Sequence, residues 1–176
     1  MLNIAALKKL DPKIVTLGSH PGIIQSILDF DWLAGKTGPS VLAIISAGKK
    51  VERYFWGAKE VVLPLYASLQ SMPDDLRRQI NLFLNFSSGR RTASSSLEAL
   101  AQLPKLTVGS IFAEEVPEQE SLRIWQSLQT NYPAGSASSK EIIGPSSVGL
   151  LIPGKLKLGA IAGVQAQQLV EAKAFT

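Results

Sequence analysis

Short apolar runs, bounded by glycine, proline or small polar residues, recur along most of the chain. Their β-branched and large apolar side chains predict strands over residues 13–17, 41–45, 61–66, 80–86, 106–112 and 141–143. Between these strands, apolar residues at helical spacing predict helices over residues 23–28, 94–103 and 117–129. Because strands that alternate with helices form parallel sheets covered on both faces, we expect an α/β fold with a doubly wound, mostly parallel sheet.

Several residues at the ends of these elements carry further predictions. Pro64 lacks the N–H that a sheet ladder uses, so it places the third predicted strand at an edge of the sheet or at its own end. Ser19 or His20 is expected to cap the first helix, with Pro21 in its first turn. The small polar residues over 131–139 have no periodicity, so we expect a mobile loop there.

The composition limits the class of protein. Hydrophobic residues make up 45% of the chain and charged residues 18%, and the mean hydropathy is +0.15, which excludes a disordered chain. The chain has no apolar run of about eighteen residues, and its first lysines follow the apolar start, so we expect neither a membrane span nor a secretory signal and interpret the protein as cytoplasmic. The absence of cysteine excludes disulfides, thiolate nucleophiles and cysteine metal sites.

The charge suggests an anionic partner. The formal net charge is +4 and the sequence pI is about 9.4, values that fit nucleic acid, phospholipid or a phosphorylated cofactor. The lysines and arginines are scattered in ones and twos, and the sequence contains no nucleic-acid recognition motif. We therefore expect neither nucleic acid nor a membrane as partner, and the charge alone does not identify the anion.

The loop after the first predicted strand is the first candidate site. It reads Gly18-Ser19-His20-Pro21-Gly22 and lies where open parallel sheets bind ligands, beyond the carboxyl ends of their strands. Glycines allow close approach of the backbone, and the positive end of the following helix favours an anion. An equally good alternative is that the glycines only make a tight turn, since the fingerprint G-x-G-x-x-G is absent. His20 has no orienting carboxylate nearby in sequence, so we assign it no catalytic role.

Other candidates for ligand contacts lie in later loops. Ser87-Ser88-Gly89-Arg90-Arg91 offers two hydroxyls and two guanidinium groups, whose planar fork suits phosphate. The alternative is a solvated basic loop that caps the next helix through Ser94. Lys36 is a further candidate for a phosphate contact, although most lone loop lysines are only solvated. Asp29 and Asp31 fit a role at a helix end, and we find no cluster typical of a metal site.

Several short motifs, in the same order, give the chain a specific resemblance. They are Leu28-Asp29-Phe30-Asp31, Phe55-Trp56-Gly57, Asn85-Phe86 with Ser88 and Arg90, and Gly144-Pro145 with Val148-Gly149. On these motifs the chain resembles the CoA-binding domain of ATP-citrate lyase, which is itself similar to the alpha subunit of succinyl-CoA synthetase. The resemblance implies a Rossmann-like domain over residues 1–160 and a segment over 161–176 that leads to a second ligase domain. That second domain carries the family's phosphorylatable histidine, and the resemblance indicates that this chain ends before it.

The resemblance also implies a set of ligand contacts. Gly18, Ser19, His20, Pro21 and Gly22 are expected around the CoA phosphates, although the family's loop is richer in glycine and threonine. Lys36 is expected to pair with a phosphate, as are Ser88 and Arg90. Phe112, Ala113 and Glu114 are expected along the pantetheine arm.

The function implied by the resemblance is positioning of coenzyme A. The parent reaction converts ATP, citrate and CoA to acetyl-CoA, oxaloacetate, ADP and phosphate, and CoA is bound as a substrate whose thiol attacks an acyl phosphate. ATP and Mg are expected only on other domains or subunits of the same enzyme, and no catalytic residue is assigned to this chain. Two alternatives stay open: a stand-alone, non-catalytic module for CoA or nucleotides, and the CoA-binding part of a succinate– or malate–CoA ligase. Phe55 and Trp56 fit either a purine-stacking surface or the core.

Overall fold

The computed structural model describes residues 3–48 and 50–161. Its helices are α1 (Ile4–Lys9), α2 (Pro21–Leu33), α3 (Asp74–Arg77), α4 (Gly89–Gln102) and α5 (Glu118–Asn131), with one 3-10 turn over Leu69–Ser71. Its strands are β1 (Ile14–Leu17), β2 (Val41–Ile45), β3 (Val51–Trp56), β4 (Lys59–Tyr66), β5 (Leu82–Asn85), β6 (Val108–Ile111), β7 (Glu141–Ile143), β8 (Gly149–Ile152) and β9 (Leu156–Gly159). The predicted segment over 161–176 lies, apart from its first residue, outside the described residues.

Seven of these strands form one sheet in the order β3-β4-β2-β1-β5-β6-β7. Every neighbouring pair is parallel except β3 and β4, which are antiparallel. The chain moves from β1 to β2 in one direction and from β5 to β6 and β7 in the other, so the direction of winding reverses between β1 and β5. The α/β class and the doubly wound, mostly parallel sheet predicted from the sequence are confirmed, and the reversal marks the place where such sheets bind ligands.

Two apolar layers cover the two faces of the sheet. On one face, Ile14 and Leu84 pack with residues of α2 and of the β8–β9 hairpin. On the other face, Val15 and Phe83 pack with residues of α4 and α5. All four residues of β1 and all four of β5 are buried, as expected of central strands enclosed by helices.

The sequence did not predict the hairpin formed by β3 and β4. Pro64 was predicted to mark either an edge strand or the end of its own strand. Because β3 lies outside β4, the first alternative is wrong, and Pro64 is the third residue from the end of β4. Pro64 instead faces Val51, the first residue of β3. The pairing of β4 with β2 comprises only Leu65 and Tyr66, so the missing N–H of Pro64 costs no ladder bond to β2.

The edge strand β3 is covered by a side chain from α2. The amide of Gln25 accepts from the N–H of Phe55 at 2.9 Å and donates to its carbonyl at 2.9 Å, as a neighbouring strand would. Trp56 is buried and packs edge to face on Trp32 with ring centroids 5.6 Å apart. Trp56 is therefore a core residue, whereas the side chain of Phe55 is 59% exposed.

Two helix boundaries differ from the prediction in ways that affect the site. Helix α4 begins at Gly89 rather than at residue 94, so Arg90 and Arg91 lie in its first turn and not in a loop. Ser94 therefore cannot cap this helix, and Ser88 takes the N-cap position. Pro117 is the N-cap of α5, close to its predicted place. The mobility predicted for residues 131–139 stays a prediction.

Candidate anion-binding site

The loop after β1 lies at the carboxyl edge of the sheet. Its two glycines differ in whether the backbone conformation and the surrounding space require a glycine. Gly18 has φ +94°, and a Cβ there would approach the Cβ of Phe86 to 3.3 Å, so the fold itself requires a glycine. Gly22 lies inside α2, and a Cβ there would meet nothing within 4 Å. The tight-turn alternative thus accounts for Gly18 but gives no reason for Gly22.

Helix α2 starts directly at this loop and leaves a donor free. His20 is the N-cap, as predicted, and its Nδ1 accepts from the N–H of Ile23 at 3.4 Å. Pro21 is the first helical residue and has no N–H to satisfy. Within the described part of the chain, the N–H of Gly22 has no hydrogen-bond partner. This N–H and the positive end of the helix are suited to an anion.

An aromatic cluster adjoins the loop. The ring of His20 lies 5.4 Å from that of Phe86 and 6.1 Å from that of Phe112, and the two phenylalanine rings are 5.8 Å apart. These residues follow β1, β5 and β6, so the cluster joins the tips of three strands on the α2 side of the sheet. It offers an apolar surface beside the free N–H of Gly22.

A second helix start, that of α4, provides the cations. Ser88 makes no side-chain capping bond, and its Oγ lies 3.5 Å from Nε of Arg91. Arg90 and Arg91 are exposed, and no ion pair of either is found among the described residues. The N–H groups of Gly89 and Arg90 likewise have no partner in the described ranges. The predicted pair Ser88 and Arg90 therefore lies at a helix start facing the carboxyl edge.

A cleft of about 430 Å³ lies between the tips of β1, β2 and β5 and the α4 side of the sheet. Its lining includes Gly18, Ser19, Ser46, Ser87, Arg91 and Glu98. Arg91 lines this cleft and Arg90 does not, so the arginine expected from the resemblance is not the one that faces the cleft. The sequence could have indicated Arg91, because residues 88 and 91 lie on one side of a helix that begins at Gly89.

The buried side chain of Asn85 fixes the loop that leads into α4. Its amide donates to the hydroxyls of Ser95 and Ser96 at 2.8 and 2.9 Å, and its oxygen accepts from the N–H of Ser87 at 2.8 Å. These bonds hold the end of β5 against the helix. Asn85 therefore positions the site from a buried place, whereas Phe86 belongs to the aromatic cluster.

The stretch Phe112-Ala113-Glu114 also lies at the carboxyl edge, directly after β6. The carbonyl of Ala113 accepts from the N–H of Ser146 at 2.9 Å, and that of Glu114 accepts from the hydroxyl of Ser146 at 3.2 Å. The N–H of Ala113 and the carbonyl of Phe112 have no partner within the described ranges. One free donor and one free acceptor thus lie next to the aromatic cluster.

Lys36, which the resemblance pairs with a CoA phosphate, does not lie at this edge of the sheet. Helix α2 runs back across the sheet for 13 residues, a length of about 20 Å, so the residues after it lie at the amino ends of the strands. Lys36 pairs there with Asp31, which also contacts Ser40 at the start of β2. Lys36 is therefore separated from the site by the length of a helix. The turn after β2, which includes Lys50, is the one that lies at the carboxyl edge.

A carboxylate, that of Glu52, also reaches the loop. The hydroxyl of Ser19 lies 2.8 Å from Oε2 and 3.0 Å from Oε1 of Glu52, and the hydroxyl of Tyr54 donates to Oε2 at 2.5 Å. The sequence analysis missed this contact, because it joins residues 33 positions apart.

Two further searches concern the described residues only. No group of three or more histidine, aspartate or glutamate side chains is close enough to hold a metal ion within residues 3–48 and 50–161. Over the same ranges, no helix has the length and apolar character needed to cross a bilayer.

Comparisons with known proteins agree on one family. The chain is 32% identical over 160 residues to the probable ATP-citrate synthase subunit 1 of Schizosaccharomyces pombe, covering 88% of the chain and 24% of that protein. It is 36% identical over 141 residues to the ATP-citrate synthase beta chain protein 1 of Arabidopsis thaliana, covering 80% of the chain and 22% of that protein. No protein-family profile matches the chain.

A solved structure matches the fold. The ATP citrate lyase of Methanothrix soehngenii, determined in complex with citrate and coenzyme A, superposes with a TM-score of 0.74 at 28% identity and covers 88% of the chain and 24% of that protein. The chain thus spans about a quarter of the length of the relatives that it matches.

The fold is a Rossmann-like α/β fold, and its strand tips carry a candidate anion-binding site. Within this class the chain is homologous to one segment of the ATP-citrate synthases, and the resemblance predicted from the sequence motifs is confirmed. It corresponds to one part of a much longer enzyme.

Proposed function

We propose that this chain binds coenzyme A at the carboxyl edge of its sheet, as the CoA-binding part of an ATP-citrate lyase type enzyme. The observation that carries the proposal is the meeting of two helix starts, those of α2 and α4, on either side of the reversal between β1 and β5. The start of α2 leaves the N–H of Gly22 free, the start of α4 leaves those of Gly89 and Arg90 free, and Arg90 and Arg91 add two positive charges. Free amides, helix dipoles and guanidinium groups are the elements that bind phosphate groups.

The site has parts that suit both ends of CoA. The phosphates fit the N–H of Gly22 and the start of α4 with Ser88 and Arg90, as the sequence analysis proposed, and Arg91 joins them. The pantetheine arm carries amides and an apolar chain, and it fits the aromatic cluster with the free N–H of Ala113 and the free carbonyl of Phe112. Glu114 is exposed at the end of this stretch.

The contribution of this domain to the reaction is to hold the CoA thiol in place. A thiol fixed beside an acyl phosphate reacts as though its concentration were raised many thousandfold, provided that the geometry is right. The acyl phosphate, ATP and Mg belong to other segments or subunits of the enzyme. We also propose that the CoA-binding domain spans residues 1–160 and that the segment after it leads to a further ligase domain.

Calorimetric titration of the full 176-residue chain tests the proposal. We expect CoA to bind more tightly than dephospho-CoA, and NAD to bind weakly, because the two arginines favour the more highly phosphorylated ligand. Arg90→Ala and Arg91→Ala are each expected to weaken CoA binding about tenfold, the usual scale for one charge-assisted contact. Arg78→Ala is the matched control, since Arg78 is also exposed but precedes β5 at the opposite edge. CoA binding that is absent, or equally affected by all three changes, would refute the proposal.

A further inference from the structure

A negatively charged side chain lies against the loop that is proposed to hold phosphate groups. Glu52 is the second residue of β3, which starts at the carboxyl edge because it runs antiparallel to β4. Its carboxylate points to the loop after β1 and accepts from the hydroxyl of Ser19 at 2.8 Å and 3.0 Å. Strand propensity gives no reason for a glutamate at this position, because glutamate is depleted in strands.

The carboxylate of Glu52 is held from two sides. The hydroxyl of Tyr54 donates to it at 2.5 Å, and the side chain of Tyr54 is only 3% exposed. Burial, reinforced by the hydrogen bond to Glu52, raises the pKa of Tyr54 well above its usual range, so its hydroxyl stays a donor at neutral pH. Ser19 uses its only hydroxyl proton on the same carboxylate. Glu52 is thus fixed in place before any ligand arrives.

Charges around the loop are therefore unequal on its two sides. A cleft of about 420 Å³, lined by Pro21, Val51, Glu52, Arg53 and Tyr54, lies on the β3 side. Arg53 does not neutralise Glu52 there, because its guanidinium pairs with Glu60 at 3.0 Å. On the other side, at the start of α4, Arg90 and Arg91 are exposed. A phosphate is repelled by a nearby carboxylate and attracted by guanidinium groups.

We propose that Glu52 is a specificity-determining residue that keeps phosphate groups off the β3 side of the loop and directs them to the start of α4. This inference rests on the proposed function, because it assigns an orientation to the ligand of the same site. Ser19 and Tyr54 act as positioning residues that fix the carboxylate.

Inorganic pyrophosphate is the probe that tests the repulsion, since it carries the charge without the rest of the ligand. We expect Glu52→Gln to bind pyrophosphate about fivefold more tightly than the unchanged chain, the scale of one charge at a partly solvated distance. Asp75→Asn is the control, because it removes one carboxylate charge from an exposed position before β5, at the opposite edge of the sheet, and is expected to change binding less than twofold. If pyrophosphate binding to Glu52→Gln is unchanged, weaker or undetectable, the proposal is wrong.

A double-mutant cycle tests the directing effect. If phosphates are confined to the start of α4, Arg91→Ala should weaken pyrophosphate binding about tenfold in the unchanged chain and about threefold in Glu52→Gln, where a second position is open. Equal losses in both backgrounds would overturn the directing role. Glu52→Thr, which is neutral and suits a strand, replaces the glutamine variant if that variant fails to fold. A chain that binds no CoA but gives the expected pyrophosphate results would refute the proposed function and leave this inference standing.

Discussion

The Nζ of Lys36 lies 2.5 Å from Oδ1 of Asp31, and the second carboxylate oxygen of Asp31 accepts from the backbone N–H of Ser40 at 2.8 Å and from its hydroxyl at 2.5 Å. Asp31 has no exposed surface. One carboxylate therefore ties the last turn of α2 to the first residue before β2. This role is structural, and it occupies a lysine that the family resemblance assigned to a ligand.

We expect Asp31→Asn to lower the free energy of unfolding by about 3 kcal/mol, because it leaves buried donors of Ser40 and the Lys36 ammonium without a full partner. Urea denaturation measures the loss, with Asp75→Asn at an exposed helix position as the control.

We further expect Lys36→Met to leave the CoA affinity unchanged within twofold. A clear loss of affinity in that variant would return Lys36 to the site.

A substitution at Gly22 distinguishes a ligand-binding role of the loop after β1 from a purely structural one, because the fold gives no reason for a glycine at this position. Alanine is favoured over glycine in helices by about 0.5–1 kcal/mol, so Gly22→Ala should not destabilise the chain. If the backbone approaches a phosphate closely at this position, the added methyl group should weaken CoA binding about tenfold.

Gly38→Ala is the control for this change, since a Cβ at Gly38 also meets nothing within 4 Å and the residue lies at the opposite edge. Isothermal titration gives the affinities and thermal denaturation the stabilities. An affinity of Gly22→Ala equal to that of the unchanged chain would favour the tight-turn alternative for the whole loop.

Much of the fold was predictable because its central strands are buried on both faces. Such strands appear as short apolar runs, and β2 was predicted with its observed boundaries. The edge strand β3 escaped prediction because its pattern mixes charged residues with an aromatic run, and the alternation of Tyr54 and Trp56 inward with Phe55 outward was hidden by that run. The β8–β9 hairpin was also not predicted, although Pro153 and Gly154 mark its turn.

The candidate site was predictable only where it follows from chain order. Loops from a strand to a helix lie at the carboxyl edge of a parallel sheet and loops from a helix to a strand at the amino edge, so topology alone excludes Lys36 and includes Ser88 and Arg90. The contact between Ser19 and Glu52 depends on where β3 lies against the loop after β1. No local pattern in the sequence carries that information.

Lys157 offers a test of the packing between α2 and the β8–β9 hairpin. Its side chain is completely buried, and its Nζ donates to the hydroxyl of Ser26 on α2 at 2.7 Å. Burial lowers the pKa of Lys157, and the nearby carboxylate of Asp29 opposes this effect. The native chain therefore releases this proton at a lower pH than the unfolded chain does.

It follows that between the lowered pKa of the native state and the ordinary lysine value of about 10.4, the unfolded chain binds more protons and stability rises with pH. We expect the free energy of unfolding of the unchanged chain, minus that of Lys157→Met, to increase from pH 7 to pH 10, because all other titrations cancel in the difference. Urea denaturation at both pH values gives this quantity. Lys105→Met, at an exposed lysine, is the control variant. A difference for Lys157→Met that stays flat or falls with pH would mean that the lysine is not held in a desolvated environment and that the hairpin packs on α2 less closely than the structure indicates.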